Sequence, residues 1–433
     1  MFKLLFSHFK SHHLFVLYLV VIAVIILGLN DGFDPAYAQL TLFYYFLPLI
    51  GFYLLIQFLG LKWNLPQKLS DLLNRFSIQN RFSSLQISLF FSIFLLLVFL
   101  TQFFFLKGFP GFEALMEFKV KKLVFIRRHI VTGIPTWFAY VYSFSIKAII
   151  PLAILYTYAS RQKYAFYFVC LLAFVFGINA MQKGHILTFF VPVLIYIFFE
   201  KNYKRAALLS LLIFLQLLIL VFIANPSLKY TLMSPFIKIE RTSDLNNKIV
   251  IDESESQSRE IVKANKKAVN SLLVRTFYLP GATVGRWYES VPDKRPFLYG
   301  KGYKWYAKIS GQKYHDYGNE LYGVIYPNYV KRGLKGRVNA ASFMYDYVNF
   351  KEWGLLISAL VMALILSTVF FIFYEDFKFS VALNLMPVLY LSSTSYTTLL
   401  LSGGWGLIIL FYILFISKSK SLHDQSLSPQ LRP

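Results

Sequence analysis

The chain has 433 residues, of which 57% are hydrophobic and 19% aromatic, while only 15% carry a charge. That balance excludes a water-soluble domain of this length. The net charge of +23 calls for anionic partners, but Lys and Arg are divided among many segments without a nucleic-acid module, so DNA and RNA are excluded on placement.

Apolar runs near twenty residues can cross a hydrocarbon core about 30 Å thick. Ten are predicted, at 14–29, 41–60, 86–106, 137–158, 164–180, 185–199, 206–224, 354–374, 380–397 and 403–416. The first, fifth and sixth are short, and the last two can be read as one broken hairpin. The expectation is an all-α polytopic membrane protein with about ten helices, within a range of nine to twelve. Residues 1–224 form the first seven spans, 225–353 a large loop, 354–417 the final spans and 418–433 a tail. The first run has a basic flank at Lys3 and Lys10, but residues 30–37 make a weak cleavage site and another span follows. A retained helix is therefore expected rather than a signal peptide. The single Cys170 lies inside an apolar run, which excludes a disulfide within the chain.

Orientation follows from Lys and Arg in the short segments. One set holds Lys62, Lys68, Arg75 and Arg81; Arg161 and Lys163; Lys201, Lys204 and Arg205; Lys378; and Lys418, Lys420 and Arg432. The alternating segments 30–40 and 398–402 have neither residue type. Both termini are thus expected in the cytoplasm. One short outer segment breaks the rule, 107–135, with Lys107, Lys119, Lys121, Lys122, Arg127 and Arg128. The large loop is also outside, although long loops are largely exempt. Cations kept on the outer face point to a phosphate-bearing substrate there.

Within the large loop, residues 244–270 are polar and of mixed charge, expected as a surface flap or short helix. Residues 275–336 intersperse Tyr and Trp with Gly, Lys and Arg, including Trp287, Tyr288, Tyr303, Trp305, Tyr322 and Tyr326. Such rings stack on sugar C–H faces, or else pack a small cap. The loop ends in VNAASFMYDYVNFKEWG, where Asn339, Phe343, Asp346, Phe350 and Trp353 would share one helical face. Packing accounts for the aromatics of that face. It does not account for Asp346.

Four cationic groups stand out. Lys121, Lys122, Arg127, Arg128 and His129 would hold a pyrophosphate through bidentate forks, or anchor to anionic headgroups. Lys183 and His185 occupy a tight outer turn. Lys147 lies inside the fourth run, where a central cation costs roughly 2.5–3.5 kcal/mol and so faces protein or water. Arg275 and Arg286, with Glu289, flank the turn signal Pro280–Gly281, and Arg286 and Glu289 stand one helical turn apart if that stretch is helical. The chain has no phosphate-binding Gly-rich loop, zinc spacing, His-Glu-x-x-His or Asp-x-Asp pair; Asp252, Glu253 and Glu255 make a weak metal candidate, read in preference as a solvated acidic turn. Neither a metal nor a cofactor is expected.

In layout and in motif the chain resembles the bacterial O-antigen or oligosaccharide repeat-unit polymerases of the Wzy type. The likeness rests on the ten-odd spans, the dominant late loop, RTFYLPG at 275–281, MQKGH at 181–185 and the NA…YDY.NF…G pattern at 339–354. Two departures stand beside it. No Arg is followed eleven residues later by Gly, a spacing found in some members, and Lys351 and Glu352 interrupt the approach from Phe to Gly. The resemblance implies a GT-C-like fold in the bacterial inner membrane, with the large loop periplasmic. It further implies a metal-independent glycosyltransferase that joins undecaprenyl-pyrophosphate-linked glycans, with membrane lipids, a chain-length regulator and a flippase as partners.

On that reading Arg127, Arg128, Arg275 and Arg286 clamp the leaving pyrophosphate, with Lys183 and Lys147 assisting. Asn339, Trp287 and Tyr288 bind glycan. Asp346, or else Glu289 or His129, is the base. An O-antigen ligase shares the layout and the leaving group. A flippase would need charges along a central cavity, where Lys147 is nearly alone. A non-enzymatic export scaffold would make no product.

Overall fold

The computed structural model describes residues 12–76, 81–117, 120–224, 278–331 and 336–416. The described chain is mostly helical, with no strands. Hydrocarbon offers no partner for backbone N–H and C=O groups, so an apolar chain of this kind satisfies them within helices.

In chain order the long helices are α1 (His13–Gly32), α2 (Pro35–Lys62), the polar α3 (Leu65–Phe76) and α4 (Ser84–Leu106). A Ser83–Gln86 capping box starts α4. Two helices, α5 (Pro110–Met116) and α6 (Val120–Thr132), fill the basic 107–135 segment. Then come α7 (Thr136–Ala159), α8 (Lys163–Ala180), α9 (Lys183–Phe199) and α10 (Tyr203–Ala224). The large loop contains α11 (Leu279–Ser290), α12 (Lys304–Ile309), α13 (Tyr317–Ile325) and α14 (Pro327–Lys331). The chain finishes with α15 (Ser342–Ile372), α16 (Phe377–Tyr390), α17 (Tyr396–Leu400) and α18 (Trp405–Phe415).

Among the described residues seven helices are long and apolar enough to cross a membrane: α1, α2, α4, α7, α8, α10 and α15. The shorter apolar helices α9, α16 and α18 coincide with the three remaining predicted runs. The broken hairpin expected near the C-terminus takes the form of α16 and α18 separated by the small helix α17.

Local irregularities have chemical causes. The π turns at Leu42–Phe46 in α2 and Ser145–Ile149 in α7 lie just before Pro48 and Pro151. A proline lacks the N–H and crowds the carbonyl four residues back, so the turn ahead of it widens. Helix α15 is two limbs: Phe350 (φ −137°, ψ 19°) and Lys351 (φ 56°, ψ −139°) leave helical geometry. Gly354 lies directly against the backbone of Asp346, so the first limb folds back along the second. A side chain at 354 would not fit there.

Named contacts order the two ends of the bundle. At one end His13 meets Phe377, Phe373 stacks on Tyr412, and Lys378 lies over Tyr196. At the other, a Cβ on Gly285 would strike Phe33, a Cβ on Gly281 would lie 2.8 Å from Gly28, and the amide of Gly111 donates to Asn179 at 3.1 Å. The 107–135 segment and helices α11 to α14 therefore sit at the same end, with Asp346 closer to it than to the end marked by His13.

Candidate functional site

Asp346 projects from the first limb of α15 and is only 2% exposed. Its Oδ1 accepts a hydrogen bond from the hydroxyl of Tyr303 and a longer one, 3.4 Å, from Tyr396. Its Oδ2 is buried without a partner among the described residues. The Ser358 hydroxyl, on the second limb, acts on this carboxyl electrostatically without completing a hydrogen bond of ordinary geometry. A buried polar atom left unmet costs about 1–3 kcal/mol, so such an atom marks a place where a ligand atom would be welcome.

Each partner is fixed by local structure. Tyr303 precedes α12 in a strap clamped onto the first limb of α15, because Leu298 N–H donates to Val348 O at 2.8 Å. In the same strap Gly302 N–H donates to Asn349 Oδ1 at 3.0 Å. The Asn349 Nδ2 in turn donates to Tyr345 O at 2.7 Å, and the Tyr303 ring stacks near Phe350 at 6.1 Å. Burial, reinforced by the Asp346 carboxyl, holds the Tyr303 phenol well above the usual range, so it remains a donor. Tyr396 opens α17, whose start is capped by Ser395 Oγ accepting from Thr398 N–H at 3.3 Å. A hydroxyl chain continues below: Ser342 Oγ lies 3.1 Å from Tyr18 Oη, which lies 2.6 Å from Tyr45 Oη.

A second polar group lies nearby. Lys147, on the π turn of α7, donates from Nζ to the carbonyl of Ser402 at 3.2 Å. It lies close enough to His185 to interact electrostatically. Trp405 Nε1 donates to Asn384 Oδ1 at 2.7 Å. Lys147 thus ties α7 to the chain break before α18, and among the described residues it has no carboxylate partner.

Several sequence expectations are corrected. The common face of Asn339, Phe343, Asp346, Phe350 and Trp353 does not form. Asn339 is exposed and precedes the helix, the helix breaks at Phe350, and Trp353 is 72% exposed. The amide beside this limb is Asn349. Pro280 and Gly281 do not make a turn; they lie in the first turn of α11, where a proline is well tolerated. Arg286 and Glu289 do stand one helical turn apart on α11, but the guanidinium is engaged elsewhere. Its Nη1 donates to Tyr326 Oη at 2.7 Å, and Glu289 is exposed.

Trp287 and Tyr288 are buried, with Tyr288 bonded to Thr41 at 3.0 Å and stacked on Tyr37. These two rings pack α11 onto the bundle and present no face to a sugar.

The cations of α6 are arranged by an apolar stripe, since Leu123, Ile126 and Ile130 are buried at helical spacing. Arg127, Arg128 and His129 are exposed, and Lys122 pairs with Glu117 at 3.2 Å. Among the described residues neither guanidinium has a hydrogen bond or ion pair. Lys183 is exposed at the start of α9. Arg275, the acidic turn at 252–255 and the 244–270 flap lie outside the described residues, as does the side chain of Lys121.

The structure brings together Asp346, Tyr303, Tyr396 and Asn349; it does not bring Asp346 into contact with Glu289, Asn339 or the α6 cations. Tyr303 was visible only as one of many aromatics, and Tyr396 gave no signal inside an apolar run. Comparison of the chain with protein-family models, curated proteins and solved structures finds no match.

Proposed function

We propose that this is a membrane glycosyltransferase that joins undecaprenyl-pyrophosphate-linked oligosaccharide units into a surface polysaccharide at the periplasmic face of a bacterial inner membrane. Asp346 is its general base. The supporting observation is the buried carboxyl with one oxygen held by two phenols and the other without a partner among the described residues. A hydroxyl of the acceptor sugar donates its proton to Oδ2 as its oxygen attacks the anomeric carbon of the donor. The bond from that carbon to the pyrophosphate breaks, and the diphosphate leaves with the electron pair. Tyr303 holds Oδ1 and fixes the direction of Oδ2, a positioning effect that keeps the base within reach of the proton.

The leaving diphosphate needs compensating cations. Arg127, Arg128 and Lys183 stand exposed at the same end of the bundle as Tyr303, and Arg286 would have to leave Tyr326 to join them. Reaction of the purified protein with extracted lipid-linked repeat units tests the proposal. A ladder of polymer is expected, and transfer confined to a lipid A core acceptor would favour a ligase instead.

A further inference from the structure

At the end of the bundle opposite α11, a cavity of about 760 Å³ opens between α7, α8, α9 and α10. Arg161, Lys163, Lys201, Arg205 and Lys378 line it, against a single carboxylate, Glu200. That carboxylate is already engaged, since Tyr158 donates to its Oε2 at 3.0 Å. Two of the cations lie over aromatic rings. The Arg205 guanidinium lies 5.7 Å from the centre of Tyr158, and Lys378 Nζ lies 5.9 Å from that of Tyr196. Such contacts position a cation without neutralising it. Below this polar rim the wall becomes apolar, with Phe166, Leu208 and Leu212, and Leu208 is 63% exposed towards the surroundings of the bundle.

We infer that this cavity seats the phosphate headgroup of a membrane lipid, its acyl or prenyl chains running along Leu208 and Leu212. A rim with five cations and one occupied carboxylate matches an anion, and an apolar lower wall open to the hydrocarbon matches a chain attached to that anion. The site is independent of Asp346, which lies towards the other end of the molecule. Cationic side chains here extend over apolar stems, so the cavity accepts headgroups of more than one shape provided they bear phosphate.

The full-length protein in detergent, mixed with equal amounts of phosphatidylglycerol and phosphatidylcholine of the same acyl chains, tests this by native mass spectrometry. The protein should retain the anionic lipid preferentially. Lys201→Gln with Arg205→Gln should weaken that retention roughly thirtyfold, the combined effect of two cations near a lipid surface. The charge-conserving pair Lys201→Arg with Arg205→Lys should keep most of it.

Competition by a polyprenyl monophosphate would assign the headgroup to a carrier lipid. Its failure to compete would assign it to bulk phospholipid. Equal retention of the two phospholipids would overturn the inference and leave the cavity to an acidic segment of another protein. So would an unchanged preference in the glutamine pair, or a loss in the charge-conserving pair as large as in the glutamine pair.

Discussion

The Tyr303 hydroxyl donates to Oδ1 of Asp346 across 43 residues of chain, tying the strap ahead of α12 to the first limb of α15. One contact therefore joins the extramembrane segment to a carboxyl buried where the helix turns back on itself. It leaves the other carboxyl oxygen as the unpartnered one among the described residues.

Tyr303→Phe removes the stronger of the two donors to Oδ1 while keeping the ring against Phe350. Hydrogen bonds to charged groups are worth about 1.5–3 kcal/mol, so the polymerisation rate should fall roughly ten- to hundredfold. On the proposed mechanism the loss should fall on kcat rather than KM, because the phenol touches the proposed base and not the sugar. Initial rates across a range of lipid-linked substrate concentrations separate the two.

Arg286 is held at 2.7 Å by Tyr326. If the guanidinium serves the leaving diphosphate, Tyr326→Phe releases it and preserves or raises activity, whereas Arg286→Gln lowers it. Equal losses in both variants would mean that the pair is only a structural tie between α11 and the 326–331 stretch.

Helix α11 docks on α1 through Gly281, where a Cβ would lie 2.8 Å from the backbone of Gly28 and Ile25. Gly281→Val should separate the two helices and expose 278–331 to protease, while the wild-type segment resists. Overpacking of this kind typically costs about 1–3 kcal/mol. Limited proteolysis in detergent, timed against the wild type, reads the difference.

Lys147 contributes one charged hydrogen bond, to Ser402 O at 3.2 Å, against an insertion penalty of roughly 2.5–3.5 kcal/mol for a cation at mid-span. The two nearly cancel. Lys147→Met should consequently leave the thermal midpoint unchanged or slightly higher. A fall of more than about 5 °C, the scale of a lost kcal/mol or so in a small domain, would show that the bond outweighs the buried charge.

Much of the architecture was legible from residue types alone. Runs such as 86–106 and 206–224 can only be helical in hydrocarbon, and α4 and α10 follow them closely. Asp346 was legible for a different reason: a carboxyl among Phe, Tyr and Val has no packing purpose. What could not be read was the reversal at Phe350 and Lys351, because neither residue type signals a break and the glycine that permits it, Gly354, lies beyond it.

With that reversal unseen, periodicity carried a single face through Asn339 and Trp353, both of which lie off it. The roles of Trp287 and Tyr288 were also hidden. Buried rings that seal an interface and exposed rings that stack on sugars have the same composition, and only the docking of α11 on α1 separates them. Tyr396 was illegible because its place beside Asp346 depends on α17, a five-residue helix whose cap, Ser395, sits within a run read as a span.

The most direct test of the base assignment is Asp346→Asn in the purified protein, assayed with lipid-linked repeat units beside the wild type. The amide keeps the shape and can still accept from Tyr303, but it cannot take a proton from the acceptor hydroxyl, so polymer should fall by about 10²–10⁴-fold with an unchanged thermal midpoint. A full ladder from Asp346→Asn at the wild-type rate would contradict the account.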